Sequence, residues 1–110
     1  MHHLSNEMTA CIEACQRCET SCLSMAMNHC LEAGGKHVEP AHFRTMIVCA
    51  EICSAAARVM MTGADLHKAV CRACAEICDA CAASCEANGD MQECVDACRR
   101  CADSCRKMAA

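Results

Sequence analysis

Residues 71–85 read CRACAEICDACAASC, with Cys71, Cys74, Cys78, Cys81 and Cys85 separated by alternating steps of three and four residues. At about 100° per residue, these five side chains fall within an arc of about 80° on an α-helix. One face of one helix therefore carries a row of thiols. In a strand the same residues would be scattered over both faces, because side chains there alternate with period two. A disulfide-rich loop scaffold has no reason to keep a 3.5-residue period.

The same element occurs four times along the chain, which is the mark of a repeated structural unit. CIEACQRCETSC carries Cys11, Cys15, Cys18 and Cys22, and CVDACRRCADSC carries Cys94, Cys98, Cys101 and Cys105. Between them, CAEICSAAARVM and CAEICDACAASC share their first five residues. The former keeps only Cys49 and Cys53, with Ala56 and Met60 in the two remaining places.

Punctuation between the copies predicts helices over about 5–33, 40–62, 65–88 and 90–108. Ser5 or Asn6 caps the first, and Gly34 and Gly35 end it. Pro40 fits the first turn of the second helix, where its missing amide proton costs nothing, and Gly63 stops that helix. Asp65 and Asp90 are the expected caps of the third and fourth, with Asn88 and Gly89 between them. Short connections make sequence neighbours antiparallel. The expectation is a single all-α domain over residues 1–110, an up-down-up-down four-helix bundle with a Cys-lined core.

Composition supports such a core and excludes several functions. The chain has 110 residues, 16 Cys and 9 Met, with Phe43 as its one aromatic residue. Cysteine, alanine and methionine thus stand in for the usual large hydrophobes. No basic segment followed by an apolar run opens the chain, and no apolar stretch approaches the roughly 18 residues of a membrane span. The reading is a cytoplasmic protein with no membrane partner. A formal net charge of -4 without a basic face leaves nucleic acid no footprint. No Ser, His and acid combination has the spacing of a catalytic set, so an enzyme is not expected.

The chemistry lies in seven Cys-x-x-x-Cys pairs. Residues four apart on a helix are surface neighbours, about 5–6 Å between Cβ atoms, so two thiolates can hold one ion between them. A disulfide needs Cβ atoms about 3.8 Å apart and fits this spacing less well. Soft thiolates select Cu(I), Zn(II) or iron–sulfur clusters. Stacked four-thiolate zinc sites would each leave two negative charges in an apolar tube. Cu(I), bridged by thiolates at about one ion per sulfur, leaves the tube neutral. Cys15 and Cys18, or Cys98 and Cys101, match only fragments of a ferredoxin run, and no cysteine precedes a proline. A thiol redox protein is the alternative from another class; it needs one exposed, low-pKa thiol rather than an undifferentiated buried row. Cysteine as a plain small hydrophobe is common for a single residue, but alanine or leucine would fill a whole register as well and resist oxidation better.

Other soft donors extend the ladder. Met25 and His29 lie within about 40° of Cys11 at α-helical spacing. His42 and Met46 precede Cys49 on the same side of the second helix, and antiparallel packing brings all four to one end, together with Met91 and Cys85. That end is the expected mouth for copper exchange. The opposite end carries Met8, Met60, His67 and Met108. Cys30 falls about 80° off the line through Cys22, which leaves accessory ligand and small buried residue equally open. Met1, His2 and His3 place a histidine third, a pattern that chelates Cu(II) through backbone nitrogens when the amine is free, although termini usually fray.

With these motifs the chain resembles the bacterial four-helix-bundle copper storage proteins, over about Ser5 to Met108. The seven Cys-x-x-x-Cys pairs carry the resemblance. It implies many Cu(I) ions held on thiolates inside the bundle, a homotetrameric assembly, and a His- and Met-containing end for exchange. Members without a leader are cytosolic. The expected role is copper sequestration, buffering and detoxification, with Cu(I) taken from a copper chaperone or a small thiol. Ala56 and Met60 depart from a fuller ladder and imply a thinner copper array beside the second helix.

Overall fold

The structure, a computed structural model, describes residues 4–110. Met1, His2 and His3, and the Cu(II) pattern they carry, lie outside the described residues. Four long helices form a rod with principal extents of 50 × 22 × 18 Å. Helix α1 spans Asn6–Ser24 and runs on through a π-helical segment, Met25–Cys30, to Leu31–Ala33. After a 3₁₀ turn at Gly35–Val38 come α2 (Pro40–Met61), α3 (His67–Asn88) and α4 (Gln92–Ala109). Each helix packs on its sequence neighbours and α4 closes on α1, giving the expected up-down-up-down order. No strand is present among the described residues.

The start of α1 follows its sequence signal: the Ser5 hydroxyl accepts a hydrogen bond from the Met8 amide at 3.1 Å. At the head of α2, Pro40 occupies the first turn and the Glu39 carboxylate accepts from the His42 amide at 3.2 Å. Gly34, Gly35, Gly63 and Gly89 all have positive φ, and Gly34 with φ 65° is where α1 ends. A side chain there would be strained although nothing crowds it.

The two aspartate caps are not formed. Ahead of α3, the amides of His67, Lys68 and Ala69 bond to the carbonyls of Ala64, Asp65 and Leu66, three residues back. Asp65 is thus wound into a tight turn, and Leu66 takes the cap position with helical dihedrals and no side-chain bond. At α4, Asp90 adopts a left-handed φ of 57° and Met91 takes the cap position. A capping side chain needs an extended backbone at its own residue, and neither aspartate has it.

The core is built from small side chains. All 16 cysteines are buried and free, interleaved with Ala26, Ala50, Ala56, Ala75, Ala82 and Ala102, while Met46, Met60 and Met91 are its bulkiest members. Ala56 and Met60 are both fully buried. They occupy ladder positions on α2 as packing groups, so the stripe continues in shape where it stops in thiols.

Candidate metal centre

Because the helices alternate in direction, successive thiols of one ladder meet thiols of its neighbours, and the shortest contacts run between helices. Along the α1–α4 seam, Cys22 Sγ lies 3.4 Å from Cys94 and 3.5 Å from Cys98. Further along, Cys18 is 3.7 Å from Cys98 and Cys15 is 3.5 Å from Cys101. Across α2 and α3, Cys49 is 3.7 Å from Cys78 and Cys53 is 3.6 Å from Cys78. Contacts within one helix are no shorter: 3.9 Å for Cys18 and Cys22, 3.8 Å for Cys74 and Cys78. The two-sulfur clamp read from Cys-x-x-x-Cys is therefore one edge of larger polygons.

Five such polygons have all their sulfurs within 4.8 Å of one another. From one end of the bundle they are Cys11–Cys71–Cys105, then Cys15–Cys74–Cys101–Cys105, then Cys53–Cys74–Cys78–Cys101. Next come Cys18–Cys49–Cys53–Cys78 and Cys18–Cys22–Cys49–Cys98. Each shares at least one sulfur with the next. Metal–sulfur bonds of about 2.3 Å put three sulfurs round one ion about 4.0 Å apart, so this spacing needs little rearrangement to receive soft ions.

The thiols restrain one another's ionisation. Hydrogen bonds from Cys101 and Cys22 push the Cys18 thiol well below its ordinary range. Cys22, donating to Cys18, is pushed far above it. A thiolate is supported by neighbours that stay protonated, so the metal-free array cannot ionise all at once. Burial, with the charge of Cys94 nearby, raises Cys30 as well.

At the other end of this chain of sulfurs the structure revises the expected placing of the soft donors. The π-helical segment has i→i+5 bonding, which winds at about 82° per residue and retards the phase by roughly 100° over six residues. Cys22, Ala26 and Cys30 consequently point inward in steps of four, and all three are fully buried. Cys30 has its Sγ 3.7 Å from Met46 Sδ, on the buried face of the bundle. The same shift moves His29 off the line expected for it, while Met25 stands at the start of the segment; both are half-buried, with Met25 packed against the core. His29 still has its Nε2 shielded from solvent, with no hydrogen-bond partner among the described residues.

His42 and Met46 occupy the places their spacing predicts, buried at the head of α2. His42 Nδ1 lies 2.6 Å from Ser84 Oγ, and its Nε2, like that of His29, is shielded and unpartnered among the described residues. Burial, and then the charge of His37, hold the His42 imidazole below its usual range. No periodicity in the sequence points to His37. It sits on the 3₁₀ turn, buried, edge-on to His29 with ring centroids 4.9 Å apart. Asn88 Nδ2 is 3.2 Å from His37 Nδ1 and 3.9 Å from Met91 Sδ, tying that turn to the end of α3. His29, His37 and His42, with Met46 and Met91, therefore gather at this end of the thiol column, where Met46 lies against Cys30.

The sequence profile described as "Csp: Copper storage protein" matches residues 2–110. The chain belongs to the copper storage protein family. Among solved copper storage structures, it is similar to Cu(I)-bound BsCsp3, at 38% identity with a TM-score of 0.87, covering 96% of this chain and 100% of that one. The apo-Csp3 of Bacillus subtilis aligns at 38% identity and a TM-score of 0.82, over 93% and 98% of the two chains. The Nmul_A1745 protein of Nitrosospira multiformis aligns at 58% identity and a TM-score of 0.92, over 94% of each. An uncharacterised cysteine-rich protein of Bacillus subtilis, YhjQ, is 39% identical over 68 residues. That match spans 62% of this chain and 62% of YhjQ.

Proposed function

We propose that this chain is a Cu(I) store, a holder rather than a catalyst, in which the thiols of all four helices take up many ions. The observation that carries this reading is sharing: Cys18, Cys49, Cys53, Cys74, Cys78, Cys101 and Cys105 each belong to two sulfur polygons. A tetrahedral zinc site keeps four sulfurs to itself and leaves a double negative charge behind. Sulfurs held in common suit an ion that takes two or three thiolates and accepts bridging ones. The ligand set is the sixteen thiols, with Met25, His29, His42 and Met46 serving at the mouth.

The finer parts of the reading have their own support. On the outer side of α1, Leu23, Met27 and Leu31 are 44%, 42% and 54% exposed, an apolar strip that a second copy would cover in a homotetramer. Among the described residues no helix is long and apolar enough to cross a membrane, in keeping with a cytoplasmic pool supplied by a small thiol or a copper chaperone. Residues 1–110 act in this reading as one domain. A redox enzyme is disfavoured by the burial of every thiol.

Anaerobic titration with Cu(I) against a chelator of known affinity tests the proposal. About ten or more equivalents per chain should bind with little change in helix content, given bridging at near one ion per thiolate. Saturation at three or four ions, or displacement of Cu(I) by Zn(II) in competition, would overturn it.

A further inference from the structure

His42 stands at the head of the α2 face that continues through Met46 to Cys49 and Cys53, with Cys30 Sγ against Met46 Sδ at 3.7 Å. Donors along this face change from imidazole to thioether to thiolate. Whether the imidazole can take part depends on which of its nitrogens carries the proton. His42 Nε2 is shielded from solvent and has no partner among the described residues, while Nδ1 is 2.6 Å from the Ser84 hydroxyl.

Two arrangements satisfy that short contact. Ser84 could donate to Nδ1, which would leave an N–H at Nε2 buried with no acceptor. Alternatively Nδ1–H donates to Ser84 Oγ, which leaves at Nε2 a bare lone pair. A buried donor without an acceptor is the rarer and costlier defect. Ser84 is half-exposed, so its own O–H can donate a hydrogen bond to water. The second arrangement therefore wins. We infer that Ser84 is a positioning residue: it holds His42 as the Nδ1–H tautomer, so that Nε2 is kept as an open nitrogen donor through which Cu(I) passes onto the Met46 and Cys30 sulfurs. The inference rests on the storage reading for its cargo. Its protonation state belongs to the metal-free chain and is decided there.

The transfer is a ligand exchange with no change of oxidation state. A two-coordinate Cu(I)–thiolate complex exchanges one thiolate for His42 Nε2, and the displaced thiolate takes up a proton from water. The ion then passes inward when the Cys30 thiol gives its proton to the donor's remaining thiolate, which leaves as the free thiol, and the Cys30 thiolate and the Met46 thioether replace that thiolate and the nitrogen. Without a fixed tautomer, a fraction of the chains would present N–H to the arriving ion and admit none at this point.

The test uses reduced, ¹⁵N-labelled apo protein and its long-range ¹H–¹⁵N histidine spectrum. Wild type and Ser84→Thr should show His42 protonated at Nδ1 and not at Nε2, and Ser84→Ala should show a shift toward Nε2–H. Alanine is the best helix former, so the last variant keeps α3 intact. In stopped-flow loading from a Cu(I)–glutathione complex, Ser84→Ala should be slower by about tenfold, in the range of outer-shell losses at metal ligands, with Ser84→Thr near wild type and total capacity unchanged. An Nε2–H tautomer in the wild type overturns the inference, as does equal loading by wild type and Ser84→Ala. A wild type with the Nδ1–H tautomer that takes up no Cu(I) overturns the storage reading as well.

Discussion

Cys22 Sγ and Cys94 Sγ approach to 3.4 Å across the α1–α4 seam, closer than Cys22 comes to Cys18 on its own helix at 3.9 Å. Cys22 also lies 3.5 Å from Cys98 and 3.9 Å from Cys81. It is thus a junction of three helices, whereas Cys71 belongs only to the terminal group with Cys11 and Cys105.

Removing a junction should cost more copper than removing an end. Cys22→Ala is expected to lower capacity by about two or three ions and Cys71→Ala by about one, since Cys22 lies within 4 Å of thiols on two other helices and a thiolate so placed can bridge ions. Anaerobic titration of both variants beside wild type, with circular dichroism to verify the fold, checks the ranking. Equal losses would show that the sulfurs act as independent ligands.

Loading should release protons, because most of the thiols are held protonated by burial and by their neighbours. Copper affinity is therefore expected to fall as pH falls, and uptake in weak buffer should acidify the solution by less than one proton per thiolate recruited, because thiols such as Cys18 are already held low. A pH-stat titration measures this directly. Uptake without proton release would mean that the array is already ionised before metal arrives.

The metal-free fold carries a linked alkaline weakness. Cys30 is raised above the ordinary value of 9.0, so the folded chain holds this proton more tightly than the unfolded chain. Its stabilisation is complete below pH 9.0 and is lost as pH rises from there toward the folded value. Chemical denaturation of apo protein should show stability dropping above about pH 9, the unfolded thiol's pKa, and Cys30→Ala should flatten part of that drop. A flat profile in the wild type would contradict the burial argument.

Met46 separates packing from ligation. Met46→Ala leaves a hole where one of the largest core side chains stood and should destabilise the fold by about 2–5 kcal/mol. Met46→Leu preserves most of the volume and should cost less than about 1.5 kcal/mol, but it takes away the sulfur next to Cys30. Thermal denaturation and loading rates read side by side should show Leu restoring stability and not the rate. Full recovery of both would reduce Met46 to filler.

The bundle and its sulfur column are legible from periodicity alone, because Cys11 to Cys22 and the three later copies repeat a spacing that only a helix turns to one side. The features that periodicity misses have a common cause. His37 lies on a 3₁₀ turn, where no helical period points to it. Ser84 and Asn88 matter through single hydrogen bonds made with residues 42 and 51 positions away in the sequence, His42 and His37. The expected places of Cys30 and His29 rest on angles that assume uniform α-helix up to Gly34. Asp65 and Asp90 have capping side chains, but the backbone beneath them is turned the wrong way.

The π-helical stretch at Met25–Cys30 makes the His- and Met-bearing end of this protein depend on winding as well as residue identity. A π turn amounts to one extra residue accommodated within an α-helix. Deleting a single residue there, even an exposed one such as Asn28, would restore α-helical winding and leave the downstream residues facing as they do, whereas restoring that winding with every residue kept would rotate them by about 100°. In the latter case Cys30 would leave Met46, the 3₁₀ turn carrying His37 would start from another side of the bundle, and every thiol from Cys11 to Cys22 would stay where it is. The store and that end are therefore separately mutable: the column is written in spacing shared by all four helices, and the opening above it hangs on how the first helix winds around one inserted residue.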